Sequence, residues 1–272
     1  MFDIRCCDNL DLMRELPDNH IDLIYCDILY GTGRNFGDYQ DLKCDRKIIE
    51  DHYIPRITEM HRVLKDTGSI YLQMDTRINH WIRCIMDDIF RYDNFLNEIV
   101  WCYNTGGRAR NKYPEKHDVI LFYSKSKKYI FNSDSIRVQG NTGFDGCLGG
   151  KQGIDEDGRR FYDKKIKEKY YRYYYDKGKI PESWWADIKV VPSQGKERNG
   201  YNTQKPKELL ERIIKASSNE GDTVADFYMG SGTTGVVAVE LNRKFIGCDI
   251  GEKAFDITNQ RINSNIMKKK LF

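Results

Sequence analysis

Apolar positions along the chain fall into alternating strand-like and helix-like rhythms. Residues 21–26 (Ile-Asp-Leu-Ile-Tyr-Cys) form a short β-prone run that stops at Asp27 and meets Gly31-Thr32-Gly33, which predicts a buried strand feeding a loop. Ile49, Tyr53, Ile57, Met60 and Leu64 then recur at helical spacing, and Gly68 opens a second strand at residues 69–74. A helix across residues 81–90 and strands at 98–103 and 119–123 continue the series. From Ser124 to about Val191 the rhythm lapses into a segment rich in Gly, Lys, Arg and Tyr. It returns at residues 206–217, where Leu209, Leu210, Ile213 and Ile214 mark an amphipathic helix. A strand at 222–227, a glycine loop, a helix at 236–241 and a strand at 244–248 follow.

Alternation of this kind around apolar strands predicts an α/β fold, a mostly parallel sheet with helices on both faces, interrupted by an insertion. Three parts result: residues 1–123, an inserted region at 124–191, and residues 192–272. No internal repeat is present, and Lys268-Lys269-Lys270 is expected to be a frayed tail.

Composition narrows the class. With 272 residues, 40% hydrophobic and 12% aromatic, the chain suits one large α/β domain carrying an insertion. Its eight cysteines form no C-x-x-C pair and its five histidines lack zinc-ligand spacing, so reduced thiols and no metal are expected. No run approaches 18 apolar residues and the first residues do not resemble a signal peptide, so a cytoplasmic location and no membrane partner are expected. The formal net charge is +3, but residues 101–200 hold 21 Lys and Arg against 13 Asp and Glu while the remainder is net acidic. A basic central block suits a phosphate-tracking insertion; a solvated lysine-rich surface is the alternative.

Candidate chemistry begins with Gly230-Ser231-Gly232-Thr233-Thr234-Gly235, which follows a predicted strand and opens a predicted helix. A nucleotide cofactor can approach backbone there because no Cβ intervenes. Asp249, at the end of the next strand, is placed to accept ribose hydroxyls. Alone, the glycine pattern is equally compatible with a tight strand-to-helix turn. Together with Thr203-Gln204-Lys205-Pro206 and Gly221-Asp222-Thr223-Val224-Ala225-Asp226-Phe227-Tyr228-Met229 before it, the region resembles the cofactor site of β-class amino-methylating DNA methyltransferases. That resemblance implies a Rossmann-like, S-adenosylmethionine-dependent methyltransferase fold. It places Asp226 on the methionine ammonium, Thr203 and Lys205 at its carboxylate, Asp249 on the ribose, and Phe227 and residues 230–234 along the cofactor. Asp8 would meet the cofactor adenine, with the N-cap of the following helix as the alternative role.

The family supplies acceptors for an exocyclic amine from Asp-Pro-Pro-Tyr at a strand end, its tyrosine stacking on a flipped base. This chain carries Asp27-Ile28-Leu29-Tyr30 there, so the carboxylate, the main-chain carbonyl at 28 and the aromatic platform are retained. Both prolines are missing, and the turn must be held by packing instead. Gly31-Thr32-Gly33, Phe36, Tyr39 and Asp41 resemble the tail that follows the tetrapeptide in adenine-specific members. The resemblance implies transfer to adenine N6 in double-stranded DNA; cytosine N4, whose enzymes more often carry serine at position 27, and a catalytically silent DNA-binding subunit are the alternatives. It also admits a homodimer and a restriction endonuclease partner, neither decided by the residues.

By motif order, target recognition belongs to residues 124–191. Arg159, Arg160, Lys164, Lys165 and Arg172 mix there with tyrosines, a composition suited to phosphates and bases, or else to a helix with a tyrosine core stripe and a lysine face. Arg108, Arg110 and Lys112 follow a glycine-containing loop and are further candidates for DNA contact.

Overall fold

The computed structural model describes every residue except 38, 105–108, 140–150, 193, 196, 202 and 271–272. In chain order the first elements are β1 (Phe2–Cys6), α1 (Asn9–Glu15), β2 (Ile21–Asp27), α2 (Arg46–Val63), β3 (Leu64–Met74), α3 (Asn79–Met86), β4 (Phe95–Cys102) and β5 (His117–Ser124). Then come β6 (Lys151–Ile154), β7 (Arg160–Ile166), β8 (Lys169–Tyr174), β9 (Trp184–Trp185), α4 (Lys207–Ser217), β10 (Thr223–Asp226), α5 (Thr233–Glu240), β11 (Lys244–Asp249) and α6 (Glu252–Lys270). Two compact units result: residues 1–131 with 183–272, and residues 132–182.

The larger unit is built on an eight-stranded sheet in the order β1-β11-β10-β2-β3-β5-β4-β9. Strands β1, β11, β10, β2 and β3 run parallel, and β5 is antiparallel to both β3 and β4. Residues 21–26 of β2 are all buried because both faces of the strand are covered. Ile24 and Cys26 face one apolar layer with Ile49, Tyr53, Ile57 and Met60 of α2. Leu23 and Tyr25 face the other, with Leu209 and Ile213 of α4, Val237 of α5 and Ile262 of α6. Among the described residues no helix is long and apolar enough to cross a membrane.

From β2 the chain moves outward to β3, and from β10 it moves the opposite way to β11. The carboxyl ends of β2 and β10 therefore flank a topological switch point, where open α/β sheets leave a crevice for ligands.

Several elements differ from expectation. Terminal helix α6, which buries Ala254, Thr258 and Ile262 on one side, runs to Lys270 and so takes in the Lys268–Lys270 segment expected to fray. The smaller unit is narrower than the 124–191 segment: β9 is an edge strand of the large sheet, and the Trp101 indole donates to the Ile188 carbonyl at 2.9 Å. Within that unit the tyrosine-rich segment is the antiparallel pair β7–β8, flanked by β6, and not a helix with a tyrosine core stripe.

Candidate active site

Asp27 ends β2 and pairs in register with Gln73 of β3. Beyond it the chain turns through Ile28 and Leu29 without a proline, and hydrogen bonds hold the turn. The Ile28 N–H donates to the Gln73 carbonyl at 3.0 Å, and the Tyr53 hydroxyl donates to the Leu29 carbonyl at 2.9 Å. Asp41 accepts from the Gly31 and Thr32 amides at 3.1 and 2.8 Å, which fastens the loop that follows. Ile28 itself is buried in the core, so the turn is held by packing as well as by these bonds.

The Tyr30 hydroxyl lies 2.7 Å from Asp27 Oδ1 and 2.9 Å from Asp118 Oδ2. Asp118, only 4% exposed, also accepts from Gln73 Nε2 at 2.7 Å and from the Tyr103 hydroxyl at 2.9 Å, and the Tyr25 hydroxyl donates to Gln73 Oε1 at 2.7 Å. A satisfied buried network of this kind fixes the orientation of its members. The Lys205 ammonium is ion-paired with the other oxygen of Asp27. Burial pushes the Asp27 carboxyl above its ordinary range, Lys205 pulls it back down, and Asp118 adds to the rise. Burial likewise pushes the Tyr30 phenol well up, so it stays protonated and able to donate.

Across the switch point, Asp226 ends β10. It is 2% exposed and accepts from the Tyr228 amide at 3.0 Å and the Thr234 hydroxyl at 2.5 Å. Burial, with Asp27 and Asp249 nearby, raises its carboxyl to about 7, and among the described residues no lysine or arginine is ion-paired with it. Phe227 is buried, and its carbonyl accepts from Asn9 Nδ2 at 3.1 Å. Asp249 accepts from the Gly230 and Gly251 amides, each at 2.9 Å. Helix α6 clamps the glycine turn: Thr258 donates to the Gly230 carbonyl at 3.1 Å and Arg261 donates to that of Ser231. Gly232 sits at φ +72°, and a Cβ there would come within 2.4 Å of the Thr258 side chain. Asp8 is the N-cap of α1, accepting from the Leu10 amide at 2.8 Å, and is ion-paired with Arg56 at 2.7 Å.

A single cleft of about 500 Å³ is lined by Asp8, residues 27–30, Thr203, Lys205, Asp226, Phe227, Gly230, Ser231, Thr233, Thr234 and Asp249. Gly232 is not in that lining; its place is against α6. The charges suit S-adenosylmethionine, a molecule with two cationic centres and a carboxylate. Asp226 is a buried carboxylate without a cation partner among the described residues, and Lys205 reaches the same space. Sequence patterning overlooked Asp118 and Gln73, whose only local signal was a polar residue inside an otherwise apolar strand, and Arg56, which lies on a helix face without a motif.

A family model described as DNA methylase, the N6_N4 methylases, matches residues 21–260. The chain belongs to this family. As a member it is an S-adenosylmethionine-dependent DNA amino-methyltransferase. It is 35% identical over 259 residues to "DNA adenine methyltransferase YhdJ" of Escherichia coli (strain K12), covering 94% of this chain and 81% of the relative. It is 33% identical over 262 residues to "Type II methyltransferase M.HpaI" of Haemophilus parainfluenzae, covering 95% and 73%. The fold matches that of the M1.HpyAVI–SAM complex, with a TM-score of 0.58 at 21% identity, covering 96% of this chain and all of that one.

Of the methylase's candidate DNA contacts, Arg108 lies outside the described residues, while Arg110 and Lys112 are exposed between β4 and β5, Lys112 paired with Glu115 at 2.7 Å. Arg159, Arg160, Lys164, Lys165 and Arg172 belong to the smaller unit. There, Arg159 is paired with Asp176 and Arg172 with Asp163, each at 2.8 Å.

Proposed function

We propose that the methylase transfers a methyl group to N6 of adenine in double-stranded DNA. The observation carrying this reading is that the carboxylates of Asp27 and Asp226 open into one cleft at the switch point. When bound, S-adenosylmethionine supplies an electrophilic methyl group on a sulfonium centre. Asp226 holds the donor's ammonium, Asp249 its ribose, and Gly230, Ser231, Thr233 and Thr234 of the glycine turn lie along it. Thr203 and Lys205 lie at the carboxylate end and Asp8 toward the adenine, although Asp8 is also bound to Arg56.

An exocyclic amine is a poor nucleophile because its lone pair is spread into the ring. Asp27 accepts its hydrogen, localises the lone pair and aims it, and the carbonyl at residue 28 offers a second acceptor. Tyr30, fixed through its hydroxyl, presents its ring to a base rotated out of the helix. Adenine is favoured by the aspartate at position 27 and by the similarity to a relative named as an adenine methyltransferase. Unmethylated duplex DNA incubated with labelled donor and digested to nucleosides is expected to yield N6-methyladenine. N4-methylcytosine in its place overturns the choice of base, and no labelled base at all leaves a silent subunit.

The raised Asp226 carboxyl sets a pH dependence. Folded, it keeps its proton to about 7; unfolded, it loses it near 3.8. The ligand-free fold therefore binds the extra proton between those values and loses stability as pH rises through the window. Affinity for a cation runs the other way, because the ionised form is the one that binds. Calorimetry is expected to show donor affinity rising about tenfold or more between pH 5.5 and 7. In Asp226→Asn the affinity is expected to be weaker and the profile flat; a flat profile in the parent protein overturns the assignment.

A further inference from the structure

The sheet β6-β7-β8 of the smaller unit has two chemically different faces. Residues directly opposite one another across paired strands share a face, and neighbours along a strand alternate. Phe161 pairs with Tyr174, Asp163 with Arg172 and Lys165 with Tyr170, which defines one face. Its charges are largely spent internally: Arg172 is bound to Asp163 and lies 3.6 Å above the Phe161 ring, while Arg159 is bound to Asp176 and lies 4.1 Å from the Tyr174 ring. Phe161 is buried over Gly153.

The other face is set by the pairs Ile154 with Arg160, Tyr162 with Tyr173, Lys164 with Tyr171, and Ile166 with Lys169. It carries three cations, Arg160, Lys164 and Lys169, and no carboxylate from any of the three strands. Its aromatic strip is uncovered, Tyr171 being 46% and Tyr173 39% exposed, with Tyr162 and Tyr173 stacked at 5.2 Å. Ile154 beside them is 68% exposed. An apolar and aromatic strip rimmed by one sign of charge is a surface built for a partner of the opposite sign.

We infer that this second face, and not the ion-paired one, is laid against the sugar–phosphate backbone of duplex DNA. Arg160, Lys164 and Lys169 neutralise phosphates, and the phenols of Tyr171 and Tyr173 donate to phosphate or sugar oxygens while their rings pack on deoxyribose. The inference rests on the methyltransferase reading, and it removes Arg159, Lys165 and Arg172 from the DNA contacts that composition suggested.

The test uses the full chain and a fluorescent unmethylated duplex, with affinity measured against salt. Arg160→Gln, Lys164→Gln and Lys169→Gln combined is expected to shrink the slope of log affinity on log salt by about 3, since each neutralised phosphate contributes about 0.9. Lys164→Gln alone is expected to shrink it by about 1. Tyr171→Ser with Tyr173→Ser is expected to weaken binding more than tenfold with the slope unchanged. Tyr170→Ser with Lys177→Gln, off this face, should bind as the parent does, and donor affinity should be equal in all variants. A parent-like slope in the triple variant, in a parent that methylates DNA, overturns the inference and leaves the methyltransferase reading intact. A parent that neither binds nor methylates any duplex overturns both.

Discussion

Asp27→Ala is expected to lower the turnover of methyl transfer by about 10²–10⁴-fold, the range observed for loss of a positioned proton acceptor or a preorganised electrostatic group. Donor affinity should change by less than threefold, because Asp226, Asp249 and the glycine turn belong to other strands and keep their bonds. Lys205 loses its partner in this variant, so Asp27→Asn is the useful companion. The amide oxygen still accepts a hydrogen while the charge is gone, and its turnover should fall between those of the parent and Ala. Single-turnover kinetics with saturating donor separates chemistry from binding. Turnover of Asp27→Ala equal to that of the parent removes Asp27 from the reaction.

Gly232→Val is expected to destabilise the fold by about 2–6 kcal/mol. A non-glycine residue in the left-handed region costs about 1–3 kcal/mol, and forcing extra atoms into a filled site costs about as much again. Both penalties apply where φ is +72° and a Cβ would lie 2.4 Å from the Thr258 Cγ2 and Oγ1 atoms. Against a total of about 5–15 kcal/mol for a typical domain, this is a large fraction. Thermal unfolding should fall by roughly 5–20 °C, at about 2–4 °C per kcal/mol for chains near this size. Adding Thr258→Ala relieves part of the crowding and none of the backbone strain, so it should restore the midpoint only in part. A midpoint within 1 °C of the parent means the turn is not packed in this way.

The parallel half of the sheet was legible because β2, β3, β10 and β11 are apolar runs bounded by glycines and acids, a local pattern that needs no tertiary information. The same holds for Asp27 and Asp226, each at a strand end before a loop, and the fold brings both to one cleft. Asp118 was illegible for a geometric reason. It opens β5, and only because β5 runs antiparallel to β3 does that end meet Gln73 and Tyr30. The missing prolines could be read as lost restraint, but Gln73 and Tyr53, which replace it together with the nearby Asp41, are distant in sequence and reach the turn only through the fold. In the Lys-Tyr-Tyr-Arg-Tyr-Tyr run of β8, polar and aromatic residues do not alternate simply, so neither strand nor helix periodicity stood out. Strand β1 is short and only partly buried, and α6 has a narrow apolar stripe, so both gave weak patterns.

A phenol has one proton to give, and the Tyr30 hydroxyl faces two acid groups. At any instant the proton goes to one of them, while the other keeps its remaining donors, Lys205 at Asp27 or Gln73 and Tyr103 at Asp118. An arriving N–H at Asp27 Oδ1 takes the phenol's place there and lets Tyr30 settle on Asp118, so the resting hydroxyl keeps a seat for an amine.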